Sequence, residues 1–361
     1  MCEYSISQIR PTDKRNVRLM DALLEKEGIQ RDGNLDYSVG LFDDDYNLVA
    51  TGSCFKNTLR CMAVDSKHQG EGLLNQVVTH LMDHQYENGN LELFLYTKCD
   101  SAKFFHDIGF YEIGRVEGKV VFMENRRTGF SNYLNQLKKQ SAQQKPEFYG
   151  EGADLTGKRV AAVVMNANPF TLGHQYLLET VAAENDIVHV FVVSEDVSLV
   201  PFKVRYDLVQ KGSAHLKNLI YHPTGSYIIS NATFPSYFLK DADVVIESHA
   251  RLDIHVFKQI SQALGLNHRY VGDEPFSQVT SIYNRIMKEE LDAAGVECHI
   301  IPRRAIGETP ISASHVRLAI KEDRLSELAG LVPQTTYDYF TSEAAAPVIA
   351  RIKQAEEVIH Y

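Results

Sequence analysis

From Arg159 onward, six short apolar runs (RVAAVVM, IVHVFVV, SYIIS, DVVIES, HRYVG and CHIIP) alternate with segments long enough for helices, and no other feature constrains the fold as tightly. Neighbouring parallel strands need crossovers of a dozen or more residues, which helices usually fill, so the alternation predicts a doubly wound α/β sheet. In such sheets ligands bind beyond the carboxyl ends of the strands. The residues that follow each run are therefore the ones to read for chemistry.

The first run leads straight into Asn166-Ala167-Asn168-Pro169-Phe170-Thr171-Leu172-Gly173-His174 and then into the helical QYLLETVAAE. A strand, a short polar loop and a helix start leave unpaired amide donors at the positive end of the helix dipole. Asn166 to His174 thus reads as a phosphate site. His174, in the first turn, can add a hydrogen bond or a positive charge. Taken without context, His174 reads equally as a helix-surface residue and Gly173 as a plain turn glycine.

The stretch Asn168-Pro169-Phe170-Thr171-Leu172-Gly173-His174 resembles the (H/T)xGH signature of the nucleotidyltransferase superfamily that includes the pantetheine-phosphate and nicotinamide-mononucleotide adenylyltransferases. The second signature of that superfamily, Ile-Ser-x-(Ser/Thr)-x-x-Arg, is matched by Ile311-Ser312-Ala313-Ser314-His315-Val316-Arg317. The resemblance implies a Rossmann-like nucleotidyltransferase domain over residues 158–340, binding ATP with Mg²⁺. It also implies that Ser312 or Ser314 caps a helix, so that its amides and Arg317 face the triphosphate from the side opposite His174. Lys203 and Arg205, after the second run, are expected as further phosphate ligands, with Lys203 joining His174 and Arg317 in catalysis. Gly272 and Asp273, with Glu274 and Pro275, stand where relatives approach the adenine or ribose. Lys203, Arg205 and Asp273 read equally as solvated charges.

Ahead of this domain, residues 36–125 follow the order strand, strand, strand, helix, strand, in SVGLF, LVATGSCF, LRCMAV, LLNQVVTHLMDHQY and LELFLYT. Between the third strand and the helix lies Lys67-His68-Gln69-Gly70-Glu71-Gly72. It resembles the acetyl-CoA pyrophosphate loop of the GNAT acetyltransferases, (Arg/Gln)xxGx(Gly/Ala), with Lys67 departing from the pattern. The segment Ser101 to Phe110 resembles that family's following helix and strand. A GNAT-like α+β domain is expected over residues 1–130, and Lys67, Gly70 and Gly72 are expected to hold a pyrophosphate. A tight turn is the plain alternative. No carboxylate or tyrosine stands out as a general acid or base, so binding is expected at least as much as catalysis.

The rest of the sequence excludes more than it suggests. A formal charge of −10 over 361 residues argues against a general affinity for nucleic acid or an anionic membrane. Five scattered cysteines form neither a CxxC pair nor an even set, and the N-terminus has no apolar core of a leader, so a cytoplasmic protein with reduced thiols is expected. His249 and His255 read as ordinary loop and helix histidines, and no metal site is expected. The Gln-, Lys- and Gly-rich stretch over residues 131–157 reads as a helical connector ending in a turn, and residues 341–361 as a C-terminal helix.

A GNAT-like domain placed ahead of an HxGH nucleotidyltransferase-like domain is similar to the arrangement in the citrate (pro-3S)-lyase ligase family, with VVMNANPFTLGHQYLLE, GDEPFSQVTSIYN and PISASHVR as its marks. The resemblance implies an acid–thiol ligase. Acetate and ATP would give acetyl-adenylate, and its acetyl group would pass to the thiol of a dephospho-CoA-derived prosthetic group on the citrate lyase acyl carrier subunit, leaving AMP and pyrophosphate. Two rival readings keep parts of the pattern: an adenylyltransferase acting on a phosphorylated cofactor precursor, and an acetyltransferase with a regulatory C-terminal domain.

Overall fold

A computed structural model describes residues 4–194, 197–228, 234, 242–273, 278–303, 305–306 and 309–358. Two compact units make up the chain: Met1–Asn132 with Thr233–His255, and Tyr133–Ala232 with Val256–Tyr361.

The first unit runs β1 (Ser5–Gln8), α1 (Lys14–Lys26), β2 (Tyr37–Phe42), β3 (Leu48–Phe55), β4 (Thr58–Val64), α2 (Leu73–Glu87), β5 (Phe94–Thr97), α3 (Ala102–Asp107), β6 (Tyr111–Val116) and β7 (Val120–Glu124). Its seven strands lie in the order β1-β2-β3-β4-β5-β7-β6, antiparallel except at β4 and β5. The expected α+β class and local order hold. Val39, Leu41, Leu59, Leu95 and Val121 from the strands pack with Val77, Val78 and Leu81 from one stripe of α2. Burying each such side chain contributes roughly 1.5–3 kcal/mol, enough to fix α2 on the sheet.

Helix α4 (Gly129–Gln144) carries the chain out of this unit, and α5 (Pro146–Tyr149) follows. The second unit then runs β8 (Val160–Met165), α6 (Leu172–Glu184), β9 (Ile187–Val192), α7 (Phe202–Gly212), β10 (Leu219–Pro223), α8 (Ala242–Leu264), β11 (His268–Gly272), α9 (Gln278–Asp292), β12 (Glu297–Ile301), β13 (Ala305–Ile306), β14 (Thr309–Pro310), α10 (Ala313–Lys321), α11 (Gln334–Phe340) and α12 (Ala346–Gln354). The five long strands are all parallel, in the order β10-β9-β8-β11-β12. The order reverses between β8 and β11, which is where a doubly wound sheet opens a crevice for ligands.

Several expectations need correction. The third strand is LIYHP, whereas Ser226 to Ile228 of SYIIS form a turn and Ile229 and Ser230 lie outside the described residues. DVVIES belongs to α8: the valines and isoleucine suit a strand locally, but the residues after them bury Ala250, Ile254, Phe257, Ile260 and Leu264 at helical spacing. Helical periodicity over 23 residues outweighs a six-residue propensity. The connector expected over residues 131–157 joins the second unit from Tyr133, because Leu137 and Ser141 are buried and the Gln144 side chain pairs with both backbone groups of Tyr221 on β10 at 2.8 and 2.9 Å. Residues 233–255, expected within the second domain, group with the first. Among the described residues of the tail only 346–354 are α-helical, and they bury Val348 and Ile352. Among the described residues no helix is long and apolar enough to cross a membrane.

Candidate active site

Strand β8 delivers the chain to the crevice at Met165, and the loop that follows is held almost entirely from inside. Arg205, on α7, is fully buried. Its Nη1 donates to the Asn166 carbonyl at 2.8 Å, to Asn166 Oδ1 at 2.9 Å and to the Val193 carbonyl at 2.7 Å, while Nε donates to the Val200 carbonyl at 2.9 Å. Ser198 Oγ pairs with the Asn166 amide at 3.0 Å. Arg205 is thus neither a solvated charge nor a phosphate ligand through those nitrogens: it fastens the loop to the turn after β9. Lys203, two residues earlier, is exposed in the first turn of α7 and has no ion-pair partner among the described residues.

The loop turns at Ala167, whose φ of 49° is left-handed, and passes through a cis peptide between Asn168 and Pro169. Phe170, expected against the nucleotide, is fully buried and packs within the core of the unit. Thr171 caps α6, accepting from the His174 amide at 3.3 Å, and the His174 ring reaches back to the Thr171 amide at 3.1 Å. Such a reciprocal cap is worth about 1 kcal/mol and holds the imidazole in place.

Because the Thr171 amide donates to Nδ1, the neutral ring carries its proton on Nε2. Desolvation, with the Arg303 charge adding to it, pulls the His174 pKa down to about 4. At neutral pH His174 therefore offers an N–H donor rather than the positive charge considered above.

The second signature meets the first at two points. Arg317, 2% exposed, donates from Nη1 to the Asn168 carbonyl at 2.5 Å, from Nε to the Val358 carbonyl at 2.6 Å, and from Nη2 to Ser314 Oγ at 3.2 Å. Its burial lowers its pKa to about 10, still high enough to keep the guanidinium charged. A Cβ added to Gly173 would stand 3.1 Å from the Ile311 carbonyl, so the start of α6 presses against the residue just before Ser312. Ser312 caps α10, accepting from the His315 amide at 3.2 Å. Two helix starts, each with orphan amides, are thereby drawn together. Arg317, expected to point at a phosphate, spends one nitrogen on this junction, one on Ser314 of its own helix and one on the Val358 carbonyl. Asn168 Oδ1 accepts from the Val200 amide at 3.0 Å, but its Nδ2 is buried with no hydrogen-bond partner among the described residues. An open buried donor in a loop of this kind suits a phosphate oxygen.

Beyond β11, the Asp273 amide donates to the Ile301 carbonyl at 2.8 Å and the Asp273 carbonyl accepts from Arg303 Nε at 2.7 Å. Gly272 has open space where a Cβ would go. Glu274 and Pro275 lie outside the described residues. Arg303 escaped the sequence reading, although its place just after the CHIIP strand was a signal.

In the first unit, Gly70 and Gly72 have φ of 88° and 76°, a region costly for other residues, and Gly72 caps α2 without a side-chain acceptor. Strands β4 and β5 pair only at Thr58–Phe94 and Leu59–Leu95 and are unpaired beyond. A cavity of about 650 Å³ is lined by Met62, Val64, Gly70, Gly72, Tyr96 and Lys98, among others. Lys67 does not line it: it sits exposed in the 3₁₀ turn Ser66–His68. Lys98 is the cation the sequence reading missed, and it too directly follows a strand. Burial pushes the Cys54 and Cys61 thiols up to about 11 and about 12, which keeps both protonated at neutral pH.

Residues 160–340 match the family described as citrate lyase ligase C-terminal domain. The chain is 36% identical over 334 residues to the citrate (pro-3S)-lyase ligase of Haemophilus influenzae, covering 91% of this chain and 96% of that one. It is 38% identical over 319 residues to the protein of the same name in Escherichia coli, covering 86% and 87%. Solved structures similar to part of it include a GNAT family acetyltransferase from Staphylococcus aureus (16% identity, 34% of this chain and 98% of that chain, TM-score 0.29). A GNAT family N-acetyltransferase from Escherichia coli in complex with CoA is another (18% identity, 36% and 84%, TM-score 0.28).

Proposed function

We propose a mechanism from one premise: the chain belongs to the citrate (pro-3S)-lyase ligase family, shown by relatives 35–38% identical over 86–91% of its length. It is accordingly a ligase that activates citrate lyase by acetylation and uses a nucleotide to do so. The nucleotide is ATP, held where α6 and α10 begin. An acetate oxygen attacks the α-phosphorus, the bond to the β-phosphate oxygen breaks, and pyrophosphate leaves. The thiolate of the CoA-like arm on the acyl carrier subunit then attacks the acyl carbon of acetyl-adenylate. That step breaks the bond to the adenylate oxygen, forming the thioester and releasing AMP.

No protein nucleophile is required. The demand is for positioning and for neutralising charge as it gathers on pyrophosphate. First-turn amides of both helices, the Nε2 proton of His174, the open amide of Asn168, Lys203 and Arg303 would meet it. Mg²⁺ arriving on the nucleotide supplies further neutralisation. Arg205 and Arg317 act by holding the amides still. In the first unit, the Gly70–Gly72 loop would take the pyrophosphate of the CoA-like arm, and the parted strands β4 and β5 would offer backbone groups to its amides.

The observation that supports this reading is the bond from Arg317 to the Asn168 carbonyl, which brings together two motifs 149 residues apart, as a shared anion site would require. Pure protein given labelled ATP, acetate and a CoA-like thiol should release AMP and pyrophosphate only when acetate is present. Transfer of the whole adenylyl group to a phosphorylated acceptor, with no AMP, would overturn it in favour of an adenylyltransferase. Thiol acetylation from acetyl-CoA that survives His174→Ala would favour the acetyltransferase reading. Gly72→Val should raise the apparent KM for the carrier with little change in KM for ATP, and equal values for the carrier would remove the cradle.

A further inference from the structure

At the opposite end of the parallel sheet, His268, Glu297 and His299 form a cluster that the ligase chemistry leaves unused. Register explains how they meet: His268 lies across from Glu297 and Tyr270 across from His299 on β11 and β12. Residues two apart on a strand share a face, so all four side chains stand on the same side of the sheet. His268 Nδ1 is 3.1 Å from His299 Nε2 and 3.5 Å from a Glu297 carboxylate oxygen, and His299 Nε2 is 3.7 Å from the other. His268 is the first residue of β11 and Gly272 the last. At about 3.3 Å per residue the cluster therefore lies roughly 13 Å along the strand from the phosphate crevice.

We propose that this cluster is a binding site for a divalent transition-metal ion of the zinc class. Ligand bonds of about 2.0–2.1 Å in a tetrahedral zinc site separate neighbouring donors by roughly 3.3 Å, and the three donors here already stand near that spacing. Two ring nitrogens 3.1 Å apart share one proton; when the ring that donates it carries its proton on the far nitrogen instead, both rings stay neutral and both lone pairs can take one ion. The His299 ring is held from behind, with Tyr270 stacked on it at 4.4 Å and the Tyr270 hydroxyl donating to Glu184 at 3.0 Å. Arg159 approaches the same hydroxyl at 3.3 Å, a nearby positive charge that Glu184 and Glu297 offset. The Glu297 side chain is 61% exposed, so the ion enters from solvent and water completes its shell. Two imidazoles with one carboxylate select zinc, cobalt or nickel over magnesium or calcium, which prefer oxygen ligands alone.

Equilibrium titration of the untagged full chain with Zn²⁺, and with Co²⁺ read by visible absorption, tests the site. One equivalent should bind, with Co²⁺ giving the intense bands of four-coordination and a tenfold excess of Mg²⁺ failing to displace it. His299→Gln at a part-exposed position, and Glu297→Gln at an exposed one, should each weaken binding by roughly tenfold or more, since even losing an outer partner of a metal ligand costs that much. AMP formation with ATP and acetate should persist in both variants. Wild type that binds no equivalent, variants that bind as tightly as wild type, or ready displacement by Mg²⁺ would each overturn the proposal.

Discussion

Arg205 and Arg317 show what a motif letter leaves unsaid. A guanidinium donates most strongly to phosphate oxygens but also to backbone carbonyls, so sequence spacing singles out both arginines without saying which oxygens they meet. The structure turns both inward. Arg317→Ala should then cost about 3 kcal/mol or more, because it strips bonds from the buried Asn168 and Val358 carbonyls, and should abolish activity together with stability. Lys203→Ala should behave differently, lowering kcat/KM for ATP by roughly tenfold or more while leaving the urea midpoint unchanged, as expected for an exposed charge that acts only on the substrate. An equal loss of midpoint in both would erase the distinction. The place of His174 in the first turn of α6 was legible but its protonation was not, since desolvation and Arg303 become visible only in three dimensions. An NMR titration of the free protein should find the His174 ring neutral down to about pH 5.

Elements were most legible where a strand, a glycine-bearing loop and a helix follow one another, as at β8 to α6 and β4 to α2. They were least legible where apolar residues suited two periods at once. DVVIES carries the residues of a strand, and only the burial stripe continuing to Leu264 shows the helix. LIYHP was passed over because its histidine and proline dilute the apolar run, although His222 on it is fully buried beside His189. The caps of α6 and α10 can be tested as elements. Thr171→Ala and Ser312→Ala should each lower stability by about 1 kcal/mol in chemical denaturation. Each should also weaken ATP binding, because a frayed first turn no longer holds its amides toward one point. Ligand affinity unchanged in both variants would mean that these helix starts do not form the phosphate site.

At the scale of the molecule, two folds in sequence were legible but their borders were not, since a border is set by which side chains bury against which, not by composition. Phe234 stands against Tyr96 and Leu252 against Gly114, so residues that follow β10 complete the first unit. Acid should destabilise the second unit. His189 and His222 are buried and hydrogen-bonded to each other at 2.9 Å; desolvation holds His189 well below the usual histidine range and His222 at about 3. Above about pH 6.5 neither state binds the proton and stability is level. As pH falls below that, the unfolded chain is protonated first, so stability drops by up to about 1.4 kcal/mol per pH unit for each ring. Denaturation midpoints at pH 7.5 and 5.5 should show the decline, and His222→Gln should make it shallower; a flat profile would contradict the burial of the pair. The discontinuity of the first unit reaches back to synthesis itself. A ribosome adding roughly 5–20 residues per second emits residue 255 many seconds after residue 132, so the amino-terminal fold is finished only when much of its neighbour has already emerged.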